Sequence, residues 1–408
     1  MAGRQKRKEL LTVLNIRENN KRNLLSQLVG AAELTRNDLA QESKISLMTV
    51  KHIVDELIEN GVVEERTSEA SVGRKPKALS ISSRYGNIVC INLTSTDSIS
   101  YIIYDIRRQL LAQNTLDVQP GIAEYRMLLK SVVAEIREKL KTIPTATVGV
   151  AACVPSAYYE AEDLVNYDLI PAFQDFHIRG FLKEEFGLDN VLVLHDVFAA
   201  AKSEYESTVP VPESQFYLYF GHGVGGSMMV QGNAVQGEDL LAGEVGKMLE
   251  VDPFTGEFQT LEEIVSVRGI LERVHEKVPG IDFEEVLEEY RKGNQEITAV
   301  MDKILNTAAR VLYNLVWLYN PTRFVVDSCY EEYGRLIKEK AEEFTSRIRR
   351  EEILITVRIV EAKYDEYHMM RGCFRTAREK WLDLLSSEAP IGTEKGEQSP
   401  NGGKVERG

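Results

Sequence analysis

The architecture this sequence predicts is an α/β body preceded by a winged helix-turn-helix, and three observations lead there. Residues 34–79 place helix caps, a short turn and a basic hairpin at the spacing of a winged DNA-binding head. From residue 87 onward apolar strands alternate with amphipathic helices, and the same order runs twice. Charge is divided along the chain. Residues 1–84 hold 15 Lys and Arg against 11 Asp and Glu, while the remainder holds 34 against 52. An acidic body is repelled by phosphate, so any nucleic-acid contact is expected at the head.

At 408 residues, 43% hydrophobic and 27% charged, the chain is long enough for two or three domains and excludes a fibrous or wholly disordered protein. The basic start Met1–Lys8 is followed by Glu9 and a helical pattern rather than an apolar export core. No apolar run reaches membrane-spanning length. A cytoplasmic protein is expected, with no membrane contact. Cys90, Cys153, Cys329 and Cys373 are scattered in apolar settings, which reads as core and predicts neither disulfide nor metal.

Within the head, Leu10 to Val29 reads as a supporting helix, with Leu24, Leu25 and Leu28 packing on the next two helices. Thr35 is placed to cap a helix Arg36–Glu42, with Asp38 returning the bond as in a capping box. After Ser43-Lys44-Ile45, Ser46 caps a second helix in which Val50, Ile53, Val54, Leu57 and Ile58 recur at helical spacing. Gly61 stops it, Val62–Arg66 forms a strand, and a small polar tip leads to the basic return Arg74-Lys75-Pro76-Lys77. Such a head presents Ser46, Thr49, Lys51 and His52 to the major groove and Arg74, Lys75 and Lys77 to phosphates or the minor groove. A small helical domain that binds protein is the plainer alternative, but it gives the basic wing no purpose.

Ser82–Gly86 reads as a hinge. Strands follow at Ile88–Leu93, Ile99–Tyr104 and Leu110–Leu116, then a helix Ile122–Leu140 with Leu128, Val132 and Ile136 on one face, and a strand Val148–Val154. A helix Ile178–Phe186, a strand Val191–Leu194 and a helix Val197–Glu206 complete the first round. The second contains strands Phe216–Phe220 and Met228–Gln231, helices between Leu261 and Leu318, strands Phe324–Val326 and Ile353–Ile359, and a last helix from about Glu366 to Leu385. The division expected is a head at 1–84, a first lobe at 85–198 joined by helix 366–385, a second lobe and dimerisation region at 199–365, and a disordered tail at 386–408.

Ligands in α/β folds sit at strand ends or between lobes, which draws attention to four places. His195-Asp196 ends a buried strand, although Asp196 could simply cap the next helix. Gly221-His222-Gly223-Val224-Gly225-Gly226 is a turn whose glycines admit a ligand or another strand. Leu241 to Met248 alternates Glu244 and Lys247 with glycines in an apolar setting, where charges need partners. Glu262 is the fourth, and on spacing alone it reads as a solvated helix residue.

Taken together these motifs resemble the ROK family (repressor, open reading frame, kinase), and in particular its transcriptional regulators. The resemblance rests on the head with Gly73-Arg74-Lys75-Pro76, His195-Asp196 before an alanine-rich helix, Gly221–Gly226, Ala242–Met248, Leu261-Glu262 and Asn320-Pro321, and it covers all but the tail. It implies a winged helix joined to a two-lobed actin-like (ribonuclease H-like) sugar-kinase fold. A homodimer or dimer of dimers is implied too, with sugar bound between the lobes altering operator affinity. The family's sugar-holding positions fall on His195, Asp196, Glu244, Lys247 and Glu262, where carboxylates accept from paired hydroxyls. Two depart from the family's pattern: His195 stands for Asn and Lys247 for His. The zinc-binding cysteine cluster is missing from Val251 to Thr260, so no zinc is implied.

The resemblance also sets an expectation about catalysis. Where the family's kinases carry an Asp-x-Gly-Gly-Thr type turn for metal and phosphate, this chain reads Asn92-Leu93-Thr94-Ser95-Thr96. A late Gly-Gly reads Asp327-Ser328, and His222 replaces a hydroxyl residue in the second phosphate loop. Nucleotide binding is expected to be lost, with no cofactor and no enzymatic activity. The expectation is therefore a repressor controlled by a sugar or sugar derivative. The alternatives are a sugar kinase with a regulatory head, or a DNA-binding protein whose degenerate lobes serve as dimer or partner scaffold. His195, His222 and Lys247 also raise the variant of an anionic ligand such as a sugar phosphate.

Overall fold

A computed structural model describes residues 2–30, 33–67, 77–117, 121–166, 170–238, 241–348, 357–362 and 367–387. They fall into two compact units, residues 1–82 with 379–408, and residues 83–378.

The smaller unit begins with α1 (Ala2–Gly30), whose Leu24, Leu25 and Leu28 are buried. Helix α2 (Arg36–Ser43) opens with the capping box read from the sequence: Thr35 accepts from the Asp38 amide, and Asp38 accepts from the Thr35 amide. Lys44 in the left-handed conformation makes the turn, and Ser46 caps α3 (Leu47–Glu59), which buries Val50, Ile53, Val54 and Leu57. Ile58, expected with them, is only half-buried at the edge of that stripe. Strands β1 (Val63–Thr67) and β2 (Lys77–Ile81) pair antiparallel, and Leu34 bonds Leu79 in both directions. The tip of the wing, with Arg74 and Lys75, lies outside the described residues.

In the larger unit, β3 (Asn87–Asn92), β4 (Ser98–Asp105) and β5 (Leu110–Asp117) form the expected meander. Helix α4 (Ile122–Thr142), β6 (Thr147–Val154), the short pair β7 (Tyr158–Tyr159) and β8 (Leu164–Val165), α5 (Ile178–Phe186), β9 (Val191–His195) and α6 (Asp196–Ser207) come next. The face of α4 that is buried runs through Tyr125, Leu129, Val132, Val133 and Ile136; Leu128, expected there, is only partly buried. The sheet order is β5-β4-β3-β6-β9, with β6 and β9 parallel to β3.

The second round is β10 (Ser214–Phe220), β11 (Val224–Val230), β12 (Asn233–Ala234), β13 (Leu249–Val251), β14 (Phe258–Thr260), α7 (Leu261–Val265), α8 (Val267–His275), α9 (Phe283–Lys292), α10 (Gln295–Tyr319), β15 (Arg323–Asp327), α11 (Glu331–Ile348) and β16 (Arg358–Glu361). Its sheet, β12-β11-β10-β15-β16, repeats the first: an antiparallel meander extended by two parallel strands. The two lobes share one plan. Helices α7 to α11 build a large apolar core against one face, while α6 packs Val197, Ala200, Ala201 and Tyr205 on the other.

Three expectations need correction. Helix α11 has no counterpart among the expected elements, although Tyr333, Ile337 and Ala341 are buried and Leu336 and Phe344 pack against the same core along a Glu- and Lys-rich helix. Cys329 is exposed in the turn after β15, unlike buried Cys90, Cys153 and Cys373. The last helix, α12 (His368–Ser386), does not belong wholly with the first lobe: residues from Glu379 group with the head, where Asp383 meets Arg22 at 2.5 Å. Residues 388–408 lie outside the described residues.

Candidate functional site

Four segments far apart in sequence converge beside α6. Strand β9 ends at His195, and Asp196 starts α6 with its Oδ1 accepting from the Val197 amide at 2.6 Å. The tight turn Gly221–Gly223 joins β10 to β11. The segment 242–248 is pressed onto that hairpin because Gly243 and Gly246 have no side chain: a Cβ on Gly243 would stand 2.2 Å from the Gly226 carbonyl, and one on Gly246 would stand 2.3 Å from that of Val224. Gly243 also has a φ of +101°, which an L side chain resists. Thr260 caps α7 through a second capping box with Glu263, and this starts the helix so that Glu262 points back at the glycine turn.

The five charged residues read from the sequence pair with one another here. His195 lies between two carboxylates, Nε2 at 3.2 Å from Asp196 Oδ1 and Nδ1 at 3.6 Å from Glu244 Oε1. Glu262 Oε2 accepts from the Val224 amide at 3.0 Å, and its Oε1 lies 3.7 Å from Lys247 Nζ. Side chains of His195, Asp196, Glu244 and Glu262 keep 20–27% of their exposure, enough for solvent or a solute to reach them. Burial raises the Asp196 pKa above the usual carboxylate range, against the pull of His195 and the Val197 amide. Two cavities among the described residues lie away from these side chains, one of about 870 Å³ beside α8 and α10 and one of about 390 Å³ beside α6 and β15.

The segments that the family resemblance aligns with phosphate-binding turns make bonds within the chain. Asn92 Oδ1 accepts from both the amide and the hydroxyl of Thr94. In the glycine turn, the Gly221 amide donates to the Gly223 carbonyl, that of Val224 to Glu262, and that of Gly226 to Gly243. The phenol of Tyr219 is packed so closely on Gly221 that a Cβ there would stand 2.3 Å from its oxygen. Asp327 is buried, accepting from the Tyr217 hydroxyl and from the Ser328 amide.

In the head, Ser46 Oγ and Thr49 Oγ1 bond each other at 2.8 Å, and Ser46 also caps α3, so both hydroxyls are engaged in starting the helix. Lys51 and His52 are exposed beside them. Lys77 is exposed too, and pairs with Glu65. The acidic side chains on the flank of α3 are neutralised from within: Arg17 and Lys21 reach Glu56, and Arg36 reaches Asp55, each at 2.8 Å.

A sequence profile of the ROK family matches residues 88–380, and a winged helix-turn-helix DNA-binding profile matches residues 17–64. The chain belongs to the ROK family. It is 22% identical to the xylose repressor of Staphylococcus xylosus over 342 residues, covering 81% of this chain and 87% of that one. With the DNA-binding transcriptional dual regulator NagC of Escherichia coli K12 it shares 20% over 311 residues, or 72% and 76% of the two chains. The fold matches the crystal structure of a ROK-family transcriptional regulator, a homologue of the E. coli MLC protein, with a TM-score of 0.74 at 18% identity over 91% of this chain and 99% of that one. A ROK hexokinase of Thermus thermophilus matches the body alone, with a TM-score of 0.61 at 18% identity over 73% and 99%. This ROK chain therefore joins a winged helix-turn-helix to the actin-like sugar-kinase fold. Among its described residues, no helix is long and apolar enough to cross a membrane.

Local sequence patterns do not reveal how the site is held. The bridging of both carboxylates by His195 and the bond from Val224 to Glu262 depend on contacts between distant segments, and no short motif announces them.

Proposed function

We propose that this protein is a sequence-specific transcriptional repressor whose operator affinity is set by a neutral sugar or sugar derivative held by His195, Asp196, Glu244, Lys247 and Glu262. The convergence of those five residues carries the reading. Each carboxylate has a polar partner that fixes its orientation and a face a hydroxyl can reach, which is what recognition of a polyol needs. Three carboxylates outnumber Lys247 and His195 together, and this acidic excess favours a neutral ligand over a sugar phosphate. Relatives named as xylose repressor and NagC agree with such a role.

Phosphoryl transfer is the competing reading, since ROK hexokinase shares the body's fold. The occupied amides of the glycine turn, the Tyr219 phenol on Gly221 and the buried Asp327 argue against a seat for nucleotide. The repressor acts as a homodimer or dimer of dimers on paired half-sites, and ligand at the site shifts the population of DNA-competent molecules.

The test is a gel shift on the gene's own upstream region with and without a panel of neutral and phosphorylated sugars. A specific shift that one neutral sugar changes is the expected result. Glu244→Ala should bind the same DNA without ligand and ignore the sugar. Absence of any sequence-specific shift, or sugar phosphorylation by the purified protein with ATP and magnesium, would overturn the reading.

A further inference from the structure

The first turn of α3 carries two large apolar side chains that the head does not use for its own core. Leu47 keeps 51% of its exposure and Met48 keeps 67%, while the buried side of the same helix is Val50, Ile53, Val54 and Leu57. Both lie one helical turn before exposed basic or ionisable neighbours, Leu47 before Lys51 and Met48 before His52, so apolar and cationic groups share one outward face. The two hydroxyls that would otherwise read bases at this end, Ser46 and Thr49, are bonded to each other and to the helix start. Beside them, Leu47 and Met48 put exposed apolar atoms at the helix tip.

The first residues of a recognition helix meet base edges in the major groove, and thymine is the base that presents a methyl group there. Apolar contact with that methyl needs no hydrogen-bond partner, and the lysine beside it supplies the attraction to phosphate that brings the helix into the groove. We propose that Leu47 and Met48 read the 5-methyl groups of thymines in each operator half-site. The assignment rests on the DNA-binding reading of the protein and adds to it the identity of the bases at the helix tip.

Duplexes recovered from a random-sequence library by the full-length protein provide the probe. Each thymine in the recovered half-site is replaced in turn by deoxyuridine, which removes the methyl and changes nothing else on the groove edge. One or two positions per half-site should lose about fourfold in affinity, the worth of one buried methyl group. Met48→Ala and Leu47→Ala should bind thymine and uracil duplexes alike at those positions. Unchanged wild-type affinity after uracil replacement at every thymine overturns this assignment alone, with DNA binding intact. Recovery of no sequence overturns it together with the reading it rests on. Loss of self-association in Met48→Ala, with thymine discrimination retained, would overturn it in favour of a protein contact on this face.

Discussion

Asp196 faces two demands at once. As the first residue of α6 it accepts from its neighbour's amide, and in the proposed ligand site it accepts from a hydroxyl best when ionised, although burial opposes the charge. A carboxyl whose folded-state pKa is raised costs stability once ionised, and the cost is relieved as pH falls through that folded value. Asp196→Asn should therefore raise the melting temperature of the ligand-free protein by a few degrees at neutral pH, with the gain shrinking in acid. The same variant should lose its sugar-induced thermal shift. A scan of melting temperature against pH, with and without sugar, reads both effects. Glu244 and Lys247 stand out in the sequence because glycines and charges alternate there in an apolar stretch, whereas His195, Asp196 and Glu262 are set apart from a helix start or a solvated residue only by the family resemblance. Arg273 is not legible, since one arginine in an amphipathic helix gives no sign that it folds inward.

That arginine explains how β13 and β14 are held to α7. Arg273 donates to Asp252, to Gln259 and to the carbonyls of Glu263 and Gly269, and its guanidinium lies over the Phe254 ring. Asp252 is almost fully buried. Burial would raise its pKa, but the Phe254 amide and Arg273 outweigh that and hold it below the usual range. Its contribution to stability is thus present above the unfolded carboxylate pKa and is lost as pH falls through the lower folded value. Arg273→Met leaves the carboxylate buried without its cation and should cost about 3 kcal/mol in denaturant unfolding at neutral pH. In the head, Thr35→Ala removes one side of a capping box and should cost about 1 kcal/mol. Caps are local chemistry, which is why the sequence places α2 and α3 closely. Helix α11 carries an ordinary helical stripe, Tyr333, Leu336, Ile337, Ala341 and Phe344, that the expected elements omit, while β7, β8, β13 and β14 escape because two or three residues carry no period.

For the molecule as a whole the net charge is −14, with the acidic excess all in the body, so DNA affinity rests on a few cations in the head and must fall steeply with salt. Lys51→Gln should lower the slope of log affinity against log salt by about one, measured by fluorescence anisotropy between about 50 and 200 mM salt, a range in which such slopes are resolved. The duplicated sheet order is readable as a repeated alternation of strands and helices; the return of the final helix to the head is not, because nothing in residues 379–386 names the distant segment they join. That return has an evolutionary consequence. A recombination event that moved only the first 82 codons onto another body would deliver Arg22 without Asp383 and a domain missing its last helical turns. The DNA reader is not a detachable cassette, because the helical turns from Glu379 must be inherited with it.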